Sequence, residues 1–427
     1  MLCSFDSYSD FYSMSIDPIV LSIPIFFLLI VVEVIWDATQ RRKSGKARYR
    51  LNDAVANISC GILDQVSGVF AKVFTVGMYT LVWYWGQDII SLHIPSNIFM
   101  WALCFVAVDF AYYWSHRLSH EVNLFWTGHV VHHQSEEYNL SVALRQGAFQ
   151  KLFMFWIYLP LALLGFPPEW FLLSMAFNLL YQFWIHTEMI GKMGFLELFM
   201  NTPSHHRVHH GRNPKYIDKN HAGVFIVWDK MFKTFQIEEE HPTYGITSPL
   251  NSFNPVEAHT MPFQLLWADV KSIPGLGDKL RYLIKPPGWY PASLGGFKSP
   301  PPVSGKEKKF NISLPIKLSY YILVQYLAVL GLTSLFLFNL QNMDVTQKVI
   351  FTLYIVFYVM SLGSLFNGRR FALALEIIRL VLTIALAVWL SDWFASFLLP
   401  VIGGFALLSL VWIFMLPTKP LKNEILY

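Results

Sequence analysis

Three short segments hold eight of the chain's fourteen histidines. The first carries His116 and His120, the second His129, His132 and His133, and the third His206, His209 and His210; the last two share the pattern His-x-x-His-His. Neutral imidazole is the commonest metal ligand among side chains. Separations of three and four residues put side chains on one face of a helix. Eight imidazoles are too many for one tetrahedral ion, so the pattern predicts two metal ions held mainly by histidine. Imidazole suits zinc, copper, iron and nickel. On ligand type alone, zinc-assisted hydrolysis competes with iron chemistry. Iron is favoured because a histidine-rich pair of sites beside a lipid-facing pocket suits oxygen activation.

Other residues stand near these boxes. His186, in Trp184-Ile185-His186-Thr187-Glu188, is a further ligand candidate. His205 adjoins His206 and should point to a different face; His221 ranks behind both, and His93, His241 and His259 have no metal-like context. Asp109 precedes His116 by seven residues inside an apolar run. A carboxylate at membrane depth is costly and points to a function. Its expected role is to accept the N–H of a ligating imidazole and so fix the tautomer; the alternative is a hydrogen bond to a neighbouring helix. Glu121 directly follows His120 and is placed to orient metal, cofactor or substrate. Glu33 and the pair Glu376/Arg379 read as interior polar contacts, and Arg207 and Arg212 as partners for a phosphate, a headgroup or the membrane surface. The segment Trp228–Phe232 reads as packing.

The elements that must position these groups are apolar. The chain has 427 residues, 54% hydrophobic and 14% charged, against about 25% charged in soluble domains. This balance predicts an integral membrane protein; with the apolar runs and the boxes, the expectation is an all-α, polytopic membrane protein with a cytoplasmic, histidine-rich cap holding two metals. No stretch combines basic patches with aromatics in the manner of a nucleic-acid partner. Three cysteines (Cys3, Cys60, Cys104) give no disulfide framework. The run from Ile19 to Trp36 follows a start with no basic n-region and reads as a retained membrane helix. The cluster Arg41, Arg42, Lys43, Lys46, Arg48 and Arg50 behind it places that end in the cytoplasm and the N-terminus on the opposite side.

Residues 54–86 read as one pass with an amphipathic approach, and Ile98 to Trp114 as a span that delivers His116 to the cytoplasmic face. Residues 149–185 read as a hairpin turning at Pro167-Pro168, leaving and returning on one side. All three boxes then share that side. Residues 187–310 form a cap and linker, and further spans follow at about 314–340, 346–366 and 371–415, the last as two passes broken near Pro400–Gly404. The domains are therefore 1–97 (first spans and basic loop), 98–250 (catalytic core), 251–312 (Pro/Gly-rich connector) and 313–427 (C-terminal spans).

With these residues in place, the chain resembles the fatty acid hydroxylase (sterol desaturase) superfamily of membrane di-iron oxygenases. The three-box order carries the resemblance, with Asp109–Arg117, Ser119–Asn123, Tyr138–Ser141, Ala143–Gln146, Asn178–Glu188, Asn201–Asn213 and Ile217–Asn220. Within it the similarity is to a branch that cleaves ether lipids using tetrahydrobiopterin. The resemblance implies two irons at the boxes, with tetrahydrobiopterin as electron donor and O2 and an alkylglycerol ether lipid as substrates. It also implies a pterin-recycling system, an endoplasmic reticulum membrane and a role for Glu121; the pterin-binding residues carry no motif. Rival readings are a sterol or sphingolipid hydroxylase with a cytochrome b5-type donor, and a metal-binding membrane protein or transporter without catalysis. One departure stands out: the family often has Gly after the Trp-Asp-x-x-Phe segment, where this chain has Lys233.

Overall fold

The computed structural model describes residues 18–44, 47–90, 94–305, 307–389 and 398–416; Cys3, Lys46 and His93 lie outside them. Twelve helices frame the molecule. They are α1 (Pro18–Ser44), α2 (Leu51–Ile90), α3 (Ile98–Glu121), α4 (Asn123–His133), α5 (Pro168–Trp184), α6 (Pro203–His209), α7 (Pro255–Ser272), α8 (Leu276–Ile284), α9 (Ile316–Phe338), α10 (Val345–Phe366), α11 (Ala372–Trp389) and α12 (Leu398–Phe414). Short helical turns fill the joints. Among the described residues the only β contact is an isolated bridge between Met200 and Phe225.

Six of these helices (α1, α2, α3, α9, α10 and α11) are long and apolar enough to cross a bilayer. Helix α2 is a single unbroken 40-residue element, which at 1.5 Å per residue runs about 60 Å, roughly twice a bilayer core. Most polar residues of its first half turn inward. Asn57 donates to Asp53 and Ser141, and Lys151 reaches Asp64 at 2.8 Å. The hairpin is present as short turns over Gln150–Leu163 followed by α5. Helix α5 has 17 residues, about 25 Å, short of a ~30 Å core, as suits an element that dips in and returns. Gly147 lets this leg lie against α4: a Cβ there would sit 1.9 Å from the Gly128 carbonyl oxygen.

One expected boundary is wrong. Helix α12 runs straight through Pro400, Gly403 and Gly404, and α11 ends earlier, at Trp389; residues 390–397 between them lie outside the described residues. Pro400 falls in the first turn of α12, where its missing N–H leaves no intrahelical bond unmade. The connector is also more than a linker. Asn254 caps α7 through the N–H groups of Val256 and Glu257, and α7 packs against α2, α4 and α10.

The buried core falls into two main parts. The larger joins α2, α9 and α10 through Val66, Leu318, Ile322, Ile355 and Leu362. The second lies between α2, α3 and the hairpin, through Tyr79, Val108 and Ala162.

Candidate metal centre

The boxes lie on helix ends. Helix α3 carries His116 and His120 in its last turns and stops at Val122, whose extended backbone (φ −120°) begins α4. Helix α4 then ends on His129, His132 and His133. Helix α6 starts with Pro203 in its first turn and carries His206 and His209, with His210 as its C-cap. His186 sits in the turn just past α5. The fold brings these nine histidines together in two buried groups: His116, His120, His129, His133 and His209 in one, His132, His186, His206 and His210 in the other. Within each group the ligand nitrogens lie within 4.8 Å of one another.

The detailed geometry fits metal ions. The Nε2 atoms of His116 and His133 approach that of His129 to 3.0 and 3.1 Å, and those of His132 and His206 approach that of His186 to 3.2 and 2.9 Å. With metal–nitrogen bonds of about 2.1 Å, two ligands at a right angle are about 3.0 Å apart. The far side of several rings is fixed by main chain. Nδ1 of His116, His132, His186 and His209 meets the carbonyls of His221, Arg145, Gln182 and Lys219 at 2.8, 2.8, 2.7 and 3.0 Å. A carbonyl only accepts, so Nδ1 carries the proton and Nε2 keeps its lone pair. Nε2 of His120, His209 and His210 is buried with no hydrogen-bond partner. An orphaned buried nitrogen is costly in a finished structure and is what a metal would satisfy.

Electrostatics point the same way. Burial, reinforced by neighbouring imidazoles, pushes His129, His133, His206 and His210 well below the usual histidine range, and burial takes His132 to about 4. The rings are therefore neutral, the form that ligates metal.

Buried partners hold the ligand-bearing segments. Arg145, whose carbonyl orients His132, donates to the Val131 carbonyl, Asn57 and Gln134 at 2.6, 3.1 and 2.6 Å. Glu33 on α1 accepts from Tyr49, Thr187 and the Leu140 N–H, tying α1 to the residue after His186 as interior polar contact. Arg207 forms a two-point pair with Glu238 (2.9 and 2.7 Å) and donates to the Thr187 and Ile190 carbonyls. It is thus committed within the protein, not free for a headgroup.

Of the two roles expected of Asp109, the bond to an imidazole needs correction and the bond to a neighbouring helix is the one observed. Asp109 is fully buried, but none of its partners is an imidazole. Its oxygens accept from Asn178 (2.6 Å), the N–H groups of Val224 (2.8 Å) and Phe225 (3.1 Å), and the Trp228 indole (2.8 Å). Backbone carbonyls orient the rings instead, and Asp109 pins the loop after the third box to α3 and α5. Gly223 permits this, since a Cβ there would come within 2.9 Å of an Asp109 oxygen. Glu121 lies at the rim, half-exposed, bonded to Arg117 Nε at 2.9 Å. Beside it stands Asp218, 3.4 Å from His120 Nδ1; burial and then the charge of Glu121 raise the Asp218 carboxyl to about 6.

His221 is no member of either group, as its low ranking implied, but it packs beside the first. Asp229 accepts its N–H at 2.8 Å, its carbonyl orients His116, and its buried ring lies 5.0 Å from that of His120 and 5.7 Å from those of His116 and His209. No spacing rule reaches it from the third box. His205 behaves as expected: it turns away, meeting the Met200 carbonyl and Phe235. The turn after Phe232 survives without glycine, with Lys233 itself in the left-handed region (φ 62°).

Two buried all-histidine groups, each able to hold a metal ion, set among apolar helices suit a membrane protein of the hydroxylase type, and a sequence model of that family, fatty acid hydroxylase, matches residues 101–234. Similarity over most of the chain is narrower. The chain is 39% identical over 367 residues to the alkylglycerol monooxygenase of Homo sapiens, covering 85% of this chain and 81% of that one. It is 37% identical to that of Danio rerio (85% and 80%) and 33% identical to that of Caenorhabditis elegans (78% and 70%). The chain belongs to the alkylglycerol monooxygenase family. No solved structure matches it.

Proposed function

We propose that this protein is a membrane di-iron monooxygenase that cleaves the ether bond of 1-O-alkylglycerols. The observation that carries this reading is the pair of buried histidine groups, built from three boxes and His186, in a chain of this family. His116, His120, His129, His133 and His209 would hold one iron, and His132, His186, His206 and His210 the other. Iron supplies the activation of O2. One oxygen atom enters the C–H bond next to the ether oxygen and the other leaves as water, with two electrons from tetrahydrobiopterin. The resulting hemiacetal collapses to a fatty aldehyde and a glycerol derivative.

The protein's own residues keep the imidazoles neutral, aim them through main-chain carbonyls and exclude water by burial. Glu121 and Asp218 at the rim of the first group are placed to position cofactor or substrate, and Asp109 acts as a positioning residue through the 222–228 loop. The alkyl chain enters from the bilayer, so the site belongs at the membrane surface. Arg41 and Arg42, exposed at the end of α1, support boxes facing the cytoplasm; the reading places the protein in the endoplasmic reticulum, served by a pterin-recycling system.

The test is aldehyde release from a 1-O-alkylglycerol by membranes containing the protein, with and without tetrahydrobiopterin. Pterin-dependent aldehyde is expected. No aldehyde in either condition, with iron bound, would move the assignment to a sterol or sphingolipid hydroxylase using a cytochrome b5-type donor.

A further inference from the structure

Helix α8 has two unlike sides. Tyr282 is buried, and its hydroxyl donates to Asp269 of α7 at 2.6 Å. On the other side Leu276, Leu280 and Ile284, four residues apart, form a stripe along the axis; they are 72%, 55% and 64% exposed. Trp267 and Leu265 of α7 add exposed apolar surface (59% and 53%). A water-soluble surface seldom leaves so much contiguous apolar area uncovered. Residues 261–298 carry five basic side chains (Lys271, Lys279, Arg281, Lys285, Lys298) against two aspartates. Asp269 is occupied by Tyr282 and Tyr290, and Asp278 by Arg281.

The height of α8 is set by a neighbour. Asn123, the first residue of α4, donates its N–H to the Lys285 carbonyl at 3.0 Å and its side chain to the Tyr282 carbonyl at 3.2 Å. Asn123 lies two residues past Glu121, where the membrane-spanning helix α3 ends. The C-terminal end of α8 is therefore fastened at the level where a span leaves the bilayer.

We propose that α8, with Trp267 of α7, lies in the headgroup–acyl boundary of the same bilayer as an interfacial foot, its leucine–isoleucine stripe in lipid and its basic residues among acidic headgroups. An amphipathic helix with basic residues beside its apolar face seats itself in this way. Since α7 and α8 both pack on α4, the foot braces the helix bearing the second histidine box against the membrane surface. This reading does not depend on the substrate.

Nitroxide labels at Leu276→Cys, Leu280→Cys and Ile284→Cys test it, in full-length Cys3→Ser protein reconstituted in phosphatidylcholine/phosphatidylserine vesicles; Cys60 and Cys104 are buried. The expected result is that dissolved oxygen relaxes all three labels several-fold more than an aqueous nickel chelate does. Equal or stronger relaxation by the chelate would overturn the proposal. So would a short label-to-label distance between two chains at position 280, which would assign the stripe to a second copy of the protein.

Discussion

Two buried polar clusters sit among the apolar helices, and they are built on opposite principles. In the C-terminal bundle, Glu376 and Arg379 are wholly buried and paired. Tyr321 and Ser361 donate to the carboxylate, and Arg379 also reaches Gln325, which bonds Ser409. The cluster closes on itself and joins α9, α10, α11 and α12. In the histidine centre the partners lie on the outside of the rings, while the inward nitrogens face one another or nothing. The first cluster is nearly complete as protein: Arg379 Nη1 alone of its polar atoms lacks a hydrogen-bond partner, and the guanidinium lies over the Tyr358 ring, 4.1 Å from its centre. The second is held on its outer side at His116, His132, His186 and His209 and left open where metal would enter. Burial of polar groups alone therefore does not mark a site in this molecule; the direction of the unsatisfied atoms does.

Substitutions should separate the two. The largest effect is expected from His132→Ala or His186→Ala, which should abolish turnover and lower metal content while the membrane spans remain; full activity in either variant would remove that residue from the ligand set. Glu376→Gln leaves a buried guanidinium without its counter-charge. It should cost about 3 kcal/mol of stability, read as a lowered melting temperature in detergent, with metal per folded chain unchanged. Asp109→Asn weakens the clamp on the 222–228 loop. We expect a loss of about 2 kcal/mol and a decline in metal affinity of less than about 10-fold, since Asp109 acts through the loop and not on a ring. A loss of metal as complete as that of His132→Ala would instead place Asp109 at the centre. The smallest effect is a gain. Lys233→Gly relieves a left-handed lysine and should raise stability by roughly 0.5 kcal/mol, measured by the same melting curves.

Much of this contrast was legible in the sequence. Histidine spacing and apolar run lengths are local, so the boxes, the unbroken apolar stretch of α2 and the hairpin turning at Pro167-Pro168 could be read directly. His186 was found because it sits next to the hairpin's end. What escaped depends on which distant groups meet. Asp109 was expected at an imidazole, but four donors from α5 and the 222–228 loop reach it first. His221 has no box-like spacing; the Asp229 clamp and the bond its own carbonyl accepts from His116 hold it against the first group. Lys233 breaks a family habit, yet the bonds around it, such as Thr234 N–H to the Asp229 carbonyl at 2.9 Å, hold the turn. Pro400 was read as a break because sequence alone did not show that a helix begins just before it.

The central claim is that the nine histidines form two separate metal sites, of five and four ligands. The most direct test is metal content per chain in the purified protein and in His186→Ala, reconstituted anaerobically with ferrous iron. The account predicts two irons per chain in the parent protein and one in the variant. One iron in the parent, or two in the variant, would contradict it.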